Sequence, residues 1–468
     1  MPPPATAMLA TMDAQGHRRW LEPTLTKGVW WQRRLVIAWI LIAVYAFVPF
    51  VEFDGLPLVQ FDIPARRLIF FGTILRPTDT ILLALFTLII FVSIFWLTAI
   101  YGRAWCGWMC PQTIYLEYVY RPLQVLLVGT RRPATPRSGA AWRYPLLGLL
   151  YIVVSAHLSN TFIAWFVGAQ PLTSWIFKSP TEHPVAFTTF LLMTAAILFQ
   201  FGYFREQLCS IVCPYGRFQS VLLDRFSLIV GYDAKRGEPR GKRGTTSGHC
   251  VDCSMCVRTC PAGIDIRRGL QMECVHCTQC IDACDRVMVT LRLPTGLIRY
   301  GSQENLELGT RSRWLRPRVV IYPLLLGVLI TVFSTLLFMR TPIALTQLRI
   351  QDERVMMEST GEIRTPVRVR LDNRTSQSMR CEIAAVAPDL LVAEATVLLP
   401  AFGSADAEVI MRSEASAFAM GRRTAKLRVS DEHAHQLDAE VTLLGPMTLP
   451  PEKSGRFFDS QPQKTGGN

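Results

Sequence analysis

The sequence predicts a multi-domain membrane protein: an α-helical transmembrane bundle of about five spans, a cysteine-rich segment between the fourth and fifth spans, and a C-terminal β-sandwich. Three observations predict this. Five stretches, 35–53, 79–100, 144–168, 184–204 and 319–339, each come close to the about 20 apolar residues that a bilayer demands. Before the last of them, eight cysteines fall in two runs of identical spacing. Beyond residue 340, apolar and polar residues alternate with a period of two, as half-buried strands do.

Composition agrees. Half of the 468 residues are hydrophobic and only 18% are charged, which suits a membrane chain better than a large soluble enzyme. The net charge of +13 does not point to nucleic acid, because Lys and Arg gather between the apolar spans and no aromatic–basic binding module is present. Arg18, Arg19, Lys27, Arg33 and Arg34 precede the first span. Arg103, Arg121, Arg131, Arg132, Arg137 and Arg143 follow the second, and Lys235 to Arg243 follow the fourth. The positive-inside rule puts these three segments in the cytoplasm and the C-terminus in the periplasm, with the chain in the inner membrane. Cysteines that act as thiolate ligands need a reducing compartment, and that puts the cysteine runs on the same side.

In chain order, residues 1–34 form a cytoplasmic arm, whose first 26 lack the apolar core of a signal peptide and read as mobile. Residues 35–204 hold four spans, with mixed or weakly charged loops at 54–78 and 170–183. His157, Ser159 and Asn160 turn the third span toward protein rather than lipid. Residues 205–318 form a cytoplasmic domain, in which Gly231 to Gly248 is a solvated basic loop able to meet anionic lipid. Residues 319–340 return to the membrane. Residues 341–445 carry the strands, with Val367, Val369 and Leu371 alternating with Arg368, Arg370 and Asp372. Further strands are expected at 394–400, 407–411, 425–429 and 437–443, and lone Cys381 is expected to pack in the core. The tail 446–468 is Pro-, Gly- and Gln-rich and reads as disordered.

The chemistry lies in the cysteines. Cys250, Cys253, Cys256 and Cys260 have the spacing C-x2-C-x2-C-x3-C, and so do Cys274, Cys277, Cys280 and Cys284. This is the two-cluster ferredoxin pattern, in which three close thiolates wrap one cubane and the fourth reaches the other. Cys250, Cys253, Cys256 and Cys284 are then expected to hold one [4Fe–4S] cluster, and Cys274, Cys277, Cys280 and Cys260 the second. Zinc prefers separated pairs, four ligands to one ion, and fits two such runs poorly. His249 and His276, beside these cysteines, read as solvated neighbours that tune potential.

A second constellation repeats a shorter motif. Cys106 and Cys110 precede Pro111, and Cys209 and Cys213 precede Pro214, each as C-x3-C-P just past an apolar span. On a helix, residues four apart share a face, and the proline would end or kink that helix. Should the second and fourth spans pack together, the four soft sulfurs meet in a redox or metal site that suits Cu(I), zinc or iron. Copper needs only two or three of them. No paired histidines suggest haem.

The strings Tyr232 to Arg240, Cys260-Pro-Ala-Gly-Ile-Asp-Ile266, Cys280-Ile-Asp-Ala-Cys-Asp285 and Gly296 to Tyr300, with the paired C-x3-C-P segments, resemble the FixG/CcoG family of cbb3-type cytochrome c oxidase accessory proteins. The resemblance covers about residues 28–340. It implies a polyferredoxin membrane protein with an immunoglobulin-like periplasmic domain. It also implies cupric reductase activity that supplies Cu(I) to the oxidase, through its subunits or copper chaperones, with Cys106, Cys110, Cys209 and Cys213 in the copper or redox role. Asp285, where two-cluster ferredoxins often have proline, departs from the pattern without touching a ligand. The same motifs also resemble quinol-dehydrogenase membrane subunits, and a non-catalytic assembly scaffold is a third reading. The electron donor is not named by the sequence, and a homodimer is compatible with it.

Overall fold

The computed structural model describes residues 11–12, 15, 17–129, 141–242, 248–309, 316–348, 356–357, 362–387, 391–392, 395–418, 420–432 and 435–445. The first ten residues, Arg131, Arg132, Arg137, Arg243 and the tail 446–468 lie outside them. The chain divides into two compact units, Met1–Leu337 and Phe338–Asn468.

Five helices of the first unit are long and apolar enough to cross a membrane: Val29–Phe50, Thr80–Tyr101, Arg143–Val167, Pro184–Phe204 and Pro317–Phe338. The first begins six residues before the expected Leu35 and takes in Arg33 and Arg34. Its start is set from a distance in sequence. The backbone N–H groups of Trp30 and Trp31 donate to the two carboxylate oxygens of Asp282, at 3.1 and 2.8 Å, so a carboxylate stabilises the positive helix end. A Cβ at Gly28, the N-cap, would overlap the Asp282 side chain, so only glycine admits that approach.

The arm before this helix is tied down where the sequence reads as mobile. Thr24 N–H donates to Arg258 O at 3.1 Å, the Thr259 hydroxyl donates to Thr24 O at 2.8 Å, and the hydroxyls of Thr26 and Thr259 bond at 3.1 Å.

The loops at 54–78 and 170–183 both carry structure. Val59–Asp62, Arg67–Phe70 and Thr73–Leu75 form an antiparallel sheet that buries Ile69, Ile74 and Leu75. Its turn is closed by Asp62, which accepts from Ala65 N–H at 3.0 Å and pairs with Arg67 at 2.8 Å. A short helix, Ala169–Ile176, follows the third span after Gly168, whose φ of +96° breaks the run. Ser155 and Ser159 of that span are buried, bonding the Tyr120 hydroxyl at 2.8 Å and Phe190 O at 3.1 Å. His157 is not turned inward as expected; it lies on the exposed face, where a helical rotation of about 100° per residue separates it from both serines.

The cysteine runs pack on a two-stranded antiparallel sheet, Leu228–Tyr232 with Ile298–Ser302, and on the helix Gln279–Thr290. Val230, Ile264, Ile266, Ile281, Met288, Leu297 and Ile298 form the apolar core beneath them.

The second unit holds two antiparallel sheets around one apolar core. The first is built on Glu362–Asn373 paired with Ser404–Glu414 and Ile343–Leu348. The second is built on Met379–Ala385, Ala395–Leu399, Arg422–Asp431 and Gln436–Leu444. The strands outrun the expected segments because the alternation continues, with Ile363, Thr365, Val367, Val369 and Leu371 all facing in. Cys381 is fully buried among Ile383, Val429 and Leu443.

Candidate functional site

The two cysteine runs are built as repeats of one backbone shape. The residues just before and just after the second cysteine of each run are left-handed: Asp252 and Ser254 at φ 50° and 56°, His276 and Thr278 at 54° and 60°. Non-glycine residues in that region cost about 1–3 kcal/mol each and persist where the surroundings hold them. Each run then enters a helix, Met255–Arg258 or Gln279–Thr290. Backbone N–H groups of His276 and Gln279 lie at the Cys274 and Cys277 sulfurs, a concave arrangement that receives an anion.

Two cavities, each about 360 Å³ counted out to its mouth, sit inside these turns. Cys250, Cys253, Cys256 and Cys284 line the first, against Tyr232 and Met288. Cys260, Cys274, Cys277 and Cys280 line the second, against Val230 and Ile266, and Cys256 borders both. All thirteen cysteines are free thiols. Burial pushes the thiols of Cys260, Cys277 and Cys280 up, and those of Cys256, Cys274 and Cys284 to about 11, 12 and 12. A cation bound at such sulfurs would displace their protons.

The second cavity also holds orphaned polar atoms. Both ring nitrogens of His276 and the hydroxyl of Thr278 have no partner among the described residues, and both residues line the cavity. The residues therefore fit a sulfur-rich anionic group: four thiols, inward N–H groups and unused donors. His276 is not a solvated neighbour. It is 0% exposed, and burial with the nearby Arg103 charge lowers its imidazole to about 3, so the ring stays neutral.

The two C-x3-C-P segments share a geometry that differs from one helical face. Cys106 lies in the helix Ala104–Trp108 and Cys209 in the π-turn Leu208–Val212. Cys110 and Cys213 are extended, and the prolines that follow do not end a helix but open the next ones, Pro111–Tyr115 and Pro214–Leu222. Each second cysteine donates its N–H five residues back, Cys110 to Trp105 O at 2.9 Å and Cys213 to Leu208 O at 2.8 Å. The segments are locked together by Gln112, which donates to Arg205 O at 3.0 Å, and by the buried Arg121, which pairs with Glu117 and Glu206.

The four thiols lie within electrostatic reach of one another. The Cys209 thiol is pushed up by burial and then by Cys110, Cys106 and Cys213. Burial also raises Cys106, against the Arg103 charge, and Cys110, against the N–H groups of Thr113 and Gln112. Cys106 Sγ donates to Gln219 Oε1 at 3.2 Å, and Gln219 is itself held by Tyr215 at 2.8 Å and Thr98 at 3.2 Å. Among the described residues no three His, Cys, Asp or Glu side chains close on the point that a single metal ion would occupy.

The two constellations touch. A Cβ on Gly107, one residue past Cys106, would stand 2.5 Å from Val275 O and 2.6 Å from His276 O, inside the second cysteine run. Arg34 donates to Gly107 O at 3.0 Å and to Cys277 O at 2.5 Å, while Trp108 Nε1 donates to the Tyr300 hydroxyl at 2.9 Å. Sequence reasoning missed Gly107, Asp282 and Gln219, which carry no spacing signal. Arg34 had one, a charge at the mouth of an apolar span.

Residues 204–303 match a 4Fe-4S dicluster domain model, and residues 83–132, which contain Cys106 and Cys110, match a 4Fe-4S binding domain model. The protein RdxA of Cereibacter sphaeroides is 32% identical over 74% of this chain and 78% of its own length. The nitrogen fixation protein FixG of Rhizobium meliloti is 30% identical over 76% and 77%. This chain belongs to the FixG family. RdxB of Cereibacter sphaeroides is also 30% identical, over 78% of this chain and 82% of its own. By its two 4Fe-4S domain matches this FixG-family chain is an iron–sulfur electron-transfer protein, and its five apolar helices make it a membrane protein.

Proposed function

We propose that this FixG-family protein reduces Cu(II) to Cu(I) for assembly of a cbb3-type cytochrome c oxidase. Two [4Fe–4S] clusters would sit on Cys250, Cys253, Cys256 and Cys284, and on Cys260, Cys274, Cys277 and Cys280. When bound, they supply one-electron chemistry. Copper is the substrate, met by Cys106, Cys110, Cys209 and Cys213. Soft thiolates favour Cu(I) over Cu(II), so a pair of them draws the added electron onto the metal. Gln219 orients Cys106, the buried thiol of the four. The clusters would face the cytoplasm and the C-terminal sheets, read as an immunoglobulin-like sandwich, the periplasm, as the basic loops suggest.

The observation that carries this reading is the backbone contact of Gly107 with Val275 and His276, which seats the Cys106 turn directly on the second cysteine cavity. The test uses protein purified without oxygen, with iron and acid-labile sulfide assayed first. Cu(II) is added to the reduced protein and Cu(I) is read with a colorimetric chelator. Cys106→Ser and Cys209→Ser should abolish Cu(I) formation at unchanged iron content; full activity in both variants would refute the copper role.

One observation favours a quinol as substrate instead. A cavity of about 960 Å³, counted out to solvent, opens between the third and fourth long helices, walled by Ile163, Trp175, Phe187 and Phe190. Trp175 stacks on His183 at 4.8 Å, and His183 Nε2 has no partner among the described residues. Quinol oxidation that persists after copper is removed would select this reading.

A further inference from the structure

A second, more polar space lies on the first unit, between residues 19–24 of the arm and the loops of the first cysteine run. It encloses about 1540 Å³ counted out to solvent, and Cys260 reaches its wall. Arg19, Arg240, Arg258, Arg267 and Arg268 line it. Among the described residues Glu22, Asp252 and Asp265 also line it; Arg267 takes up both aspartates, Asp265 at 2.8 Å, and Arg240 meets Glu238 at 3.9 Å. Arg19, Arg240, Arg258 and Arg268 are exposed, and Arg19 and Arg268 form no ion pair among the described residues. The cleft is held in shape rather than open by chance: the arm is bonded to Arg258 O and Thr259, and Arg258 Nη2 donates to Cys253 O at 3.3 Å. Cys253 is the exposed cysteine of its run.

We propose that this cleft docks an acidic protein that carries a one-electron redox group, and that Arg19, Arg240 and Arg268 steer it to the edge beside Cys253 and Cys260. The proposal rests on the reading above that these cysteines hold iron–sulfur clusters. The carrier loses one electron and the iron–sulfur group gains one; no bond forms or breaks and no proton moves. A hydride donor delivers two electrons at once and does not match this one-electron acceptor. Surplus positive charge around an open cleft raises the encounter rate of a negative partner and falls off with salt.

The experiment uses the full chain in nanodiscs of zwitterionic lipid, without oxygen and without copper. The probe is an acidic plant-type ferredoxin, with a basic c-type cytochrome as the control. Binding is read by thermophoresis at low and high salt. The ferredoxin should bind, should weaken as salt rises, and should weaken about tenfold or more in the triple variant Arg19→Gln, Arg240→Gln, Arg268→Gln. Iron content and reduction by methyl viologen radical, a small cation, should not change in that variant. Equal ferredoxin affinity in the variant and the parent would overturn the proposal. So would cytochrome binding as tight as ferredoxin binding, or loss of iron in the variant, which would make the arginines structural. Copper enters none of these readouts, so failure of the copper reading leaves them intact, whereas iron-free parent protein would sink the cluster reading by itself.

Discussion

Arg34 Nη1 donates to the carbonyl oxygen of Cys277 at 2.5 Å, from a guanidinium that is 1% exposed. The same side chain holds Gly107 O at 3.0 Å, so one cation ties the first apolar helix to both cysteine constellations. Arg34→Met removes these donors and leaves two buried carbonyls unpaired, at about 1–3 kcal/mol each. The loop of Cys274 to Cys280 should loosen first. Iron analysis of the purified variant should show loss toward half of the parent value, with the C-terminal unit still folded.

Gly107→Ala places a methyl against two backbone carbonyls that have no side-chain freedom to yield. Overpacking of this kind costs about 1–3 kcal/mol. The Cys106 turn should move away from the second cysteine run, so electron transfer to Cu(II) held at Cys106 should slow far more than iron is lost. Stopped-flow reduction of the Cu(II)-loaded variant checks this against its iron content.

Asp265 gives a pH dependence with a definite sign. Burial would raise its carboxyl, but hydrogen bonds and charge from Arg267 outweigh burial and hold it below the usual range. A folded-state value below the unfolded one stabilises the protein above the unfolded value, near 3.9, and that stability is lost as pH falls toward the folded value. Thermal melts should therefore decline on acidification below about pH 4. Asp265→Asn should melt lower at neutral pH and lose that part of the acid slope.

Cys381 is 0% exposed and burial raises its thiol to about 11. It should resist maleimide in the native protein and react once urea opens the sheets. Cys381→Ser puts a hydroxyl in an apolar core and should destabilise the second unit by about 1–3 kcal/mol. Iron content should not change.

Much of this was legible along the chain. The four-cysteine spacing marked both cysteine loops, and runs of apolar residues located four of the five long helices to within two residues. The first helix start was missed because Asp282 supplies its cap from the second cysteine run. The loop at 54–78 was missed as a sheet because its strands, of three or four residues, are too short to show a period. His276 reads as polar and solvated in sequence, yet its burial follows from Arg103 and Gly102 packing over it. The C-x3-C-P pairs read as single helical faces, whereas each proline opens a new helix.

Spacing, hydropathy and alternation are properties of neighbouring residues, so they survive in the linear sequence, and they located the long helices, the cysteine runs and the C-terminal strands. What joins the Cys106 turn to the loop of Val275 and His276 is a close approach of two backbones far apart in the chain. Such an approach depends on a missing side chain at Gly107 and a buried charge at Arg34, which have no period and no motif until the fold brings their partners to them.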